Sequence, residues 1–496
     1  MKTTLPPGQR RRRSSALLLA AGLAAANWLS AATLTDFGYQ AIRVDGDLNV
    51  GSRSLLVLLG NFSGRPAFYT NAAYYQSLVF SASAPSLYGF FRESSNGRFF
   101  WSMARFEPMT INQPWEWCVH GVLTNLFNHG APGTPQTAWL ADRLVGSNLV
   151  AQAMRHGFDF RPFDLNHDGV VRRNELTILI ISNENEEWGA TRYMGPVPPP
   201  DDNNITVDMG AFSHVNHRTD FASIAHEVSH ALGARDMYDS AGNKGLDTGL
   251  MTATLQYINL PGYTSLGLDA WHRMQFGWVE PRIASLTAGG SALLPAAQMT
   301  DPAAPLLLYD PAHGTADFLL LEYRSSFVTG RSSTYDQVIW PTNGLAIWRI
   351  KQDGSHAPVD LDPNPQRWDW ALWNLTYPSL GVSGVGLWGS GTTTPSIHWV
   401  DGTDTGIQFA VHPFVQGAPS LRVEWLNSTG YWVDFNYHGS PQDGQFATPF
   451  ETLAQGLAAV GWGGTLTFKT GTSRETAHLN KRVALRAYNG PVTIGR

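Results

Sequence analysis

The sequence predicts a multidomain chain: a mixed α/β domain, then a β-rich domain, then a short β-helix-like C-terminal segment. Three observations predict it. The 496 residues are too many for one hydrophobic core. Helix-like and strand-like apolar periods alternate as far as Pro281, after which Gly, Ser, Thr and Pro turn clusters separate short apolar runs. A second change of texture falls at Gly439-Ser440-Pro441-Gln442-Asp443-Gly444.

Residues 1–32 read as an export signal. Arg10 to Arg13 form the positive n-region, Ala16 to Ala26 the apolar run, and Ser30-Ala31-Ala32 the small residues for cleavage. The run is shorter than the roughly 20 residues of a membrane span, so a secreted protein without stable membrane insertion after signal removal is expected. The arginines belong to this signal; the formal net charge is −6 and no basic stripe follows, which argues against nucleic acid as a partner. Cys118 is the only cysteine, so no intrachain disulfide forms and stability must come from core burial and bound ions. A buried, inert thiol is the ordinary reading of Cys118.

Residues 33–282 read as one mixed α/β domain. Ser54 to Leu59 and Leu176 to Ser182 are apolar runs with the length and composition of buried strands of one sheet. Helices are expected around Tyr88, Val150 and His226. Residues 164–175 match a twelve-residue calcium loop. Asp164, Asn166, Asp168 and Glu175 bring oxygen ligands, Val170 brings its backbone carbonyl, and Gly169 sits at the sharp turn. An Asx-rich surface turn is the plainer reading, but the full ligand spacing favours a structural Ca2+. A helix through Asn148 to Arg155 enters the loop and the strand Leu176 to Ser182 leaves it, so the loop joins helix to sheet rather than helix to helix.

The stretch from His226 to Asp236 reads H-E-x-x-H-x-x-G-x-x-D. Ala222 to Leu232 contains no Pro or Gly and is expected to be helical. Residues four apart share a helix face, so His226 and His230 can present imidazole nitrogens to one Zn2+. Glu227 beside them reaches a metal-bound water and serves as general base. Gly233 stops the helix, and the returning chain can supply Asp236 as a third, oxygen ligand. Three protein ligands leave a coordination position open, the mark of a catalytic rather than a structural zinc. A chance match on an amphipathic helix is the bland alternative; Gly and Asp at fixed offsets make it much rarer than for a bare H-E-x-x-H.

The segment HEVSHALGARDMYD, His226 to Asp239, resembles the zinc motif of immune inhibitor A-type secreted bacterial metallopeptidases, a metzincin-like subset with Asp as third ligand. The more familiar extended motif has His there. The resemblance extends over about Ser86 to Val279. Leu250-Met251-Thr252 looks like the family's Met-turn, with Met251 as the floor under the zinc; alone, such a Met would count as core filling. Gly267 to Val279 is similar to the family's closing segment, and Ser86 to Phe100 to its early helix and strand. The resemblance implies a metzincin-like fold and a secreted zinc endopeptidase acting on protein or peptide substrates. Oxyanion donors are not singled out: Tyr257, Tyr263, His214 and His217 are candidates, each individually more ordinary as a packed or surface residue. Two other functions fit the same residues, a catalytically silent surface-binding protein on this scaffold and a zinc hydrolase of a non-peptide bond.

Residues 283–437 read as a β-rich accessory domain, with buried strands at Phe318 to Arg324 and Gly344 to Ile350. Residues 438–496 resemble the opening turn of a right-handed parallel β-helix. A helix is expected at Pro449 to Val460, then strands at Gly463 to Phe468, Val483 to Tyr488 and Val492 to Ile494. Such a unit cannot bury its faces alone, so it is expected to pack on the preceding domain, to pair with another chain, or to be a remnant; binding or surface attachment is the role considered for it.

Overall fold

A computed structural model describes residues 32–111, 135–183, 190–192, 196–197, 205–208, 212–234, 249–251, 265–286, 290–297, 305–335, 343–351, 387–399, 405–427, 430–461 and 464–495, apart from scattered positions within these ranges. The expected export signal, save Ala32, lies outside the described residues, as do Cys118, Asp236, Tyr238, Asp239, Thr252, Tyr257 and Tyr263. Among the described residues, no helix is long and apolar enough to cross a membrane.

The run Leu55 to Leu59 sits in the strand Gly51–Phe62, near the middle of a five-stranded sheet. The order is Phe99–Ile111, Gly51–Phe62, Leu176–Ser182, Phe212–Asn216, Ala190–Arg192. The first four run parallel; the last is an antiparallel edge. Such strands read as continuous apolar runs because both faces are covered. Leu55, Val57, Leu59, Leu179 and Ile181 enter one core, with the helices Ala72–Phe80, Leu87–Ser94 and Phe221–Ala231. The alternate residues Leu56, Leu58, Ile178 and Ile180 enter a second core with Val145, Leu149, Val150 and Ala153 of the helix Pro135–Arg155. The strand pairing and flanking helices expected from the sequence are therefore present, with longer bounds. The expected helix-then-strand over Ser86 to Phe100 is also present. Ser86 caps the helix by accepting from Gly89 N at 3.0 Å, and the chain turns through Asn96 and Gly97, both at positive φ.

After Arg282 a four-stranded sheet forms in the order Arg282–Ser285, Leu306–Tyr309, Asp317–Arg324, Gly344–Lys351. The period of two divides it sharply. Leu306, Leu308, Leu319, Leu321, Leu345 and Ile347 pack onto the strands Ile407–Val411 and Ser420–Asn427. The other face, with Leu307, Phe318, Leu320, Ala346 and Trp348, belongs to the same core as the helix Phe221–Ala231. The β-rich region therefore shares a core with the preceding domain, something texture alone does not reveal, because turn clusters mark chain connectivity and not which faces are buried.

The strands Thr465–Ser473 and Ala484–Ile494 of the C-terminal segment form a parallel sheet with Gly430–Val433, which lies before the boundary expected at 437/438. The two last strands expected separately are one strand, passing Asn489 and Gly490 at positive φ. The helix is shorter than expected, Leu453–Ala459, because Thr452 starts it with a reciprocal capping box to Gln455, while Phe450 bridges to Val433. It packs over Val433, Leu466 and Phe468.

The zinc-motif helix stops where the sequence indicates. Gly233 has φ +89°, Gly233 N donates to His230 O at 2.9 Å, and Ala234 N donates to Ser229 O at 3.1 Å, a Schellman stop. A Cβ at Gly233 would also lie 2.7 Å from Ile42 Cγ2. Gly233→Ala is expected to destabilise the protein by about 1–2 kcal/mol or more. Gly157→Ala, at φ +82° with nothing within 4 Å of its Cβ, should cost less. Urea midpoints of the two variants check the order.

Candidate metal centre

Asp220 starts the motif helix: its carboxylate accepts from Ser223 N at 2.9 Å and from Ser223 Oγ at 3.0 Å. The helix is buried on most of its circumference, and Ser213 Oγ of the neighbouring strand donates to Glu227 O at 2.9 Å, fixing its rotation against the sheet. Its C-terminal end is held from the other side. Asn49 Nδ2 donates to Leu232 O at 2.8 Å, and Trp278 Nε1 donates to Asn49 O at 2.6 Å. Trp278, in the expected closing segment, is buried and stacks on Phe99.

The turn spacing brings the two histidines together. Their ring centroids are 4.9 Å apart at 87°. His226 is buried; Glu227 and His230 are half-buried. Each imidazole meets a backbone carbonyl through Nδ1: His226 with Leu250 O at 2.8 Å, and His230 with Ala234 O at 2.8 Å. A carbonyl only accepts, so Nδ1 carries the proton on both rings. In the neutral imidazoles the lone pair is then on Nε2. Metal-binding histidines are oriented in this way. The donor set, two neutral imidazole nitrogens on one helix face, suits Zn2+. Asp236, the third expected ligand, lies outside the described residues. Among the described residues, no group of three or more His, Cys, Asp or Glu side chains is gathered to hold an ion.

Leu250 and Met251 are both fully buried in the core that holds the helix. The expected Met-turn thus lies in direct contact with the centre through the Leu250 carbonyl. Of the other candidates, His214 meets Ser182 Oγ through Nε2 at 2.9 Å within the sheet. His217 packs edge-on against Phe68, and burial, then the Arg218 charge, hold its pKa below the usual histidine value. Both have the surroundings of packed residues.

The loop at 164–175 lies between the helix Pro135–Arg155 and the strand Leu176–Ser182, as expected. Gly169 has φ +81° and His167 φ +59°. Asp164 and Glu175 are buried, and their carboxylates accept backbone N–H groups. Asp164 takes Asp168 N at 3.1 Å and Gly169 N at 3.0 Å; Glu175 takes Leu165 N at 2.9 Å and Arg172 N at 2.9 Å. Asn166 Oδ1 accepts from Asp168 N at 3.0 Å. Asp168 pairs with Arg172 at 2.6 Å, which holds its carboxyl below the usual range. The short strand Val170–Arg172 pairs in parallel with Thr206–Asp208, anchoring the loop to the fold.

Sequence reasoning missed a buried charged cluster beside the centre. Asp269 caps the helix Ala270–Gln275 and meets His272 Nδ1 at 2.7 Å, both fully buried. Burial alone would raise the Asp269 carboxyl, but the His272 charge and hydrogen bonds outweigh it and hold the group below the usual range. Burial pushes Glu322 above its ordinary value, only partly offset by Arg324 and Arg273. The available signal was Glu322 and Arg324, spaced by two in the otherwise apolar strand FLLLEYR.

No protein-family model matches the chain, and no curated protein is significantly similar to it.

Proposed function

We propose that the chain is a secreted zinc-dependent endopeptidase of the immune inhibitor A-like type. The observation that carries this reading is the orientation of His226 and His230: two facing rings on one helix, each with Nδ1 donated to a backbone carbonyl. Both rings are held in one tautomer beside a half-buried glutamate, as histidines that ligate a metal are.

In this reading His226, His230 and Asp236 hold the ion. When bound, it supplies Lewis acidity that polarises a peptide carbonyl and lowers the pKa of water toward about 7. The chain's residues do the rest. Glu227, adjacent to His226 in sequence, accepts a proton from the attacking water and passes it to the leaving amine. The carbonyls of Leu250 and Ala234 keep the two imidazoles in one tautomer and orientation. Met251 closes the floor from the core side. Secretion and a protein substrate follow from the export signal and from the family resemblance of the motif.

The acidic loop at 164–175 is proposed as a structural calcium site, with Asp164, Asn166, Asp168, Glu175 and the Val170 carbonyl as ligands. Carboxylates already turned into the loop, and a backbone folded around Gly169, support it.

Two outcomes are expected. Glu227→Gln should keep zinc at the wild-type stoichiometry while casein hydrolysis falls by about 10²–10⁴-fold; proteolysis at the wild-type rate would remove Glu227 as the base. Adding Ca2+ to chelator-treated protein should raise the melting temperature, and Glu175→Gln should abolish most of that rise. If zinc alone restored the full melting temperature, the loop would not be a calcium site.

A further inference from the structure

The accessory sheet reaches the metal centre through backbone carbonyls. On the strand Asp317–Arg324, residues two apart share a face, so Glu322 and Arg324 lie on the same side as Phe318 and Leu320, toward the core of the motif helix. Both charged residues are buried. Arg324 Nη2 donates to Gly267 O at 3.2 Å, and Nη1 reaches Leu268 O at 3.5 Å. The same Gly267 carbonyl accepts from Leu250 N at 3.2 Å. Leu250 O in turn accepts from His226 Nδ1 at 2.8 Å.

A second contact holds the same turn. Glu322 Oε1 accepts from Ala270 N at 3.1 Å and from Trp348 Nε1 at 3.2 Å, and pairs with Arg324 Nη1 at 3.4 Å. A Cβ at Gly249 would stand 3.3 Å from Asp269 Oδ2 and 3.8 Å from Trp348 Cη2, so the turn is seated between these two side chains. Folding alone does not account for the charges. Apolar residues of similar volume commonly replace a buried ion pair with no loss of stability. A guanidinium holds its donors in a rigid planar fork, which lets Arg324 face two successive carbonyls and a carboxylate with little loss of freedom.

We propose that Arg324, aligned by Glu322, is a positioning residue for His226: the accessory sheet sets the direction of the imidazole through Gly267 and Leu250. The role rests on the zinc reading above. It makes the metal affinity of a centre on one sheet depend on a side chain of another.

The test uses the full chain with Arg324→Met and Arg324→Lys. Zinc affinity is measured by chelator competition, the visible spectrum of the Co2+-loaded protein is recorded, and kcat and KM are determined separately. In Arg324→Met, zinc should bind about 10–100-fold more weakly. The cobalt bands should shift, and kcat should fall more than KM rises. Arg324→Lys, which keeps the charge and can donate to one carbonyl, should recover part of each effect. Variants that melt cooperatively with wild-type zinc affinity and an unchanged cobalt spectrum would overturn the proposal. Failure of both variants to fold with zinc present would equally overturn it, in favour of a purely architectural role. A wild-type chain that binds neither ion would instead overturn the zinc reading itself.

Discussion

The hydrogen bond between His226 Nδ1 and the Leu250 carbonyl, 2.8 Å long, is the contact on which the rest of the site depends. It joins the motif helix to the turn at Gly249–Met251, and it decides which imidazole nitrogen carries the proton. His230 has its counterpart in Ala234 O, which the Schellman stop at Gly233 brings back beneath the last helical turn. The helix terminus and the second histidine are therefore one device: the glycine that ends the helix also delivers the carbonyl that orients its final histidine. Helix position is set in the same way from outside, by Ser213 on the sheet and Asn49 at the C-terminal end.

Beneath this lies an uncommon core. Asp269, His272, Glu322 and Arg324 are buried where two sheets meet, among aromatic and aliphatic side chains. Removing charges from water costs several kcal/mol per ion, and only good pairing offsets it. The opposite pKa directions at Asp269 and Glu322 express that balance. At Asp269 the hydrogen bonds and charge of His272 win; at Glu322 desolvation wins. The shared apolar face formed by Phe318, Leu320, Ala346 and Trp348 keeps the cluster dry, and so keeps its hydrogen bonds strong.

Much of this was legible in the residues. The run at Leu55–Leu59 is apolar at every position because its alternating side chains fill two different cores. Gly233 terminates the helix because only glycine suits its conformation so close to Ile42. The pairing of His226 with His230 follows from helical spacing, and the helix-to-strand setting of the acidic loop from the switch of hydrophobic period. What was not legible depends on contacts distant in the chain. The carbonyl that orients His226 comes from Leu250, and its support comes from Arg324; no local pattern predicts that the face of a strand 98 residues beyond His226 will lie under it. The last strand is longer than expected because pairing with Thr465–Ser473 stops at Tyr488 and resumes at Val492 after a register shift, so one strand spans the break that separated two expected ones.

X-ray absorption at the zinc edge of the loaded protein reports the ligand atoms themselves. One zinc per chain is expected, with a shell of nitrogen and oxygen at about 2.0–2.1 Å and multiple scattering from two imidazoles. A sulfur shell near about 2.3 Å, or loaded protein without stoichiometric zinc, would contradict it.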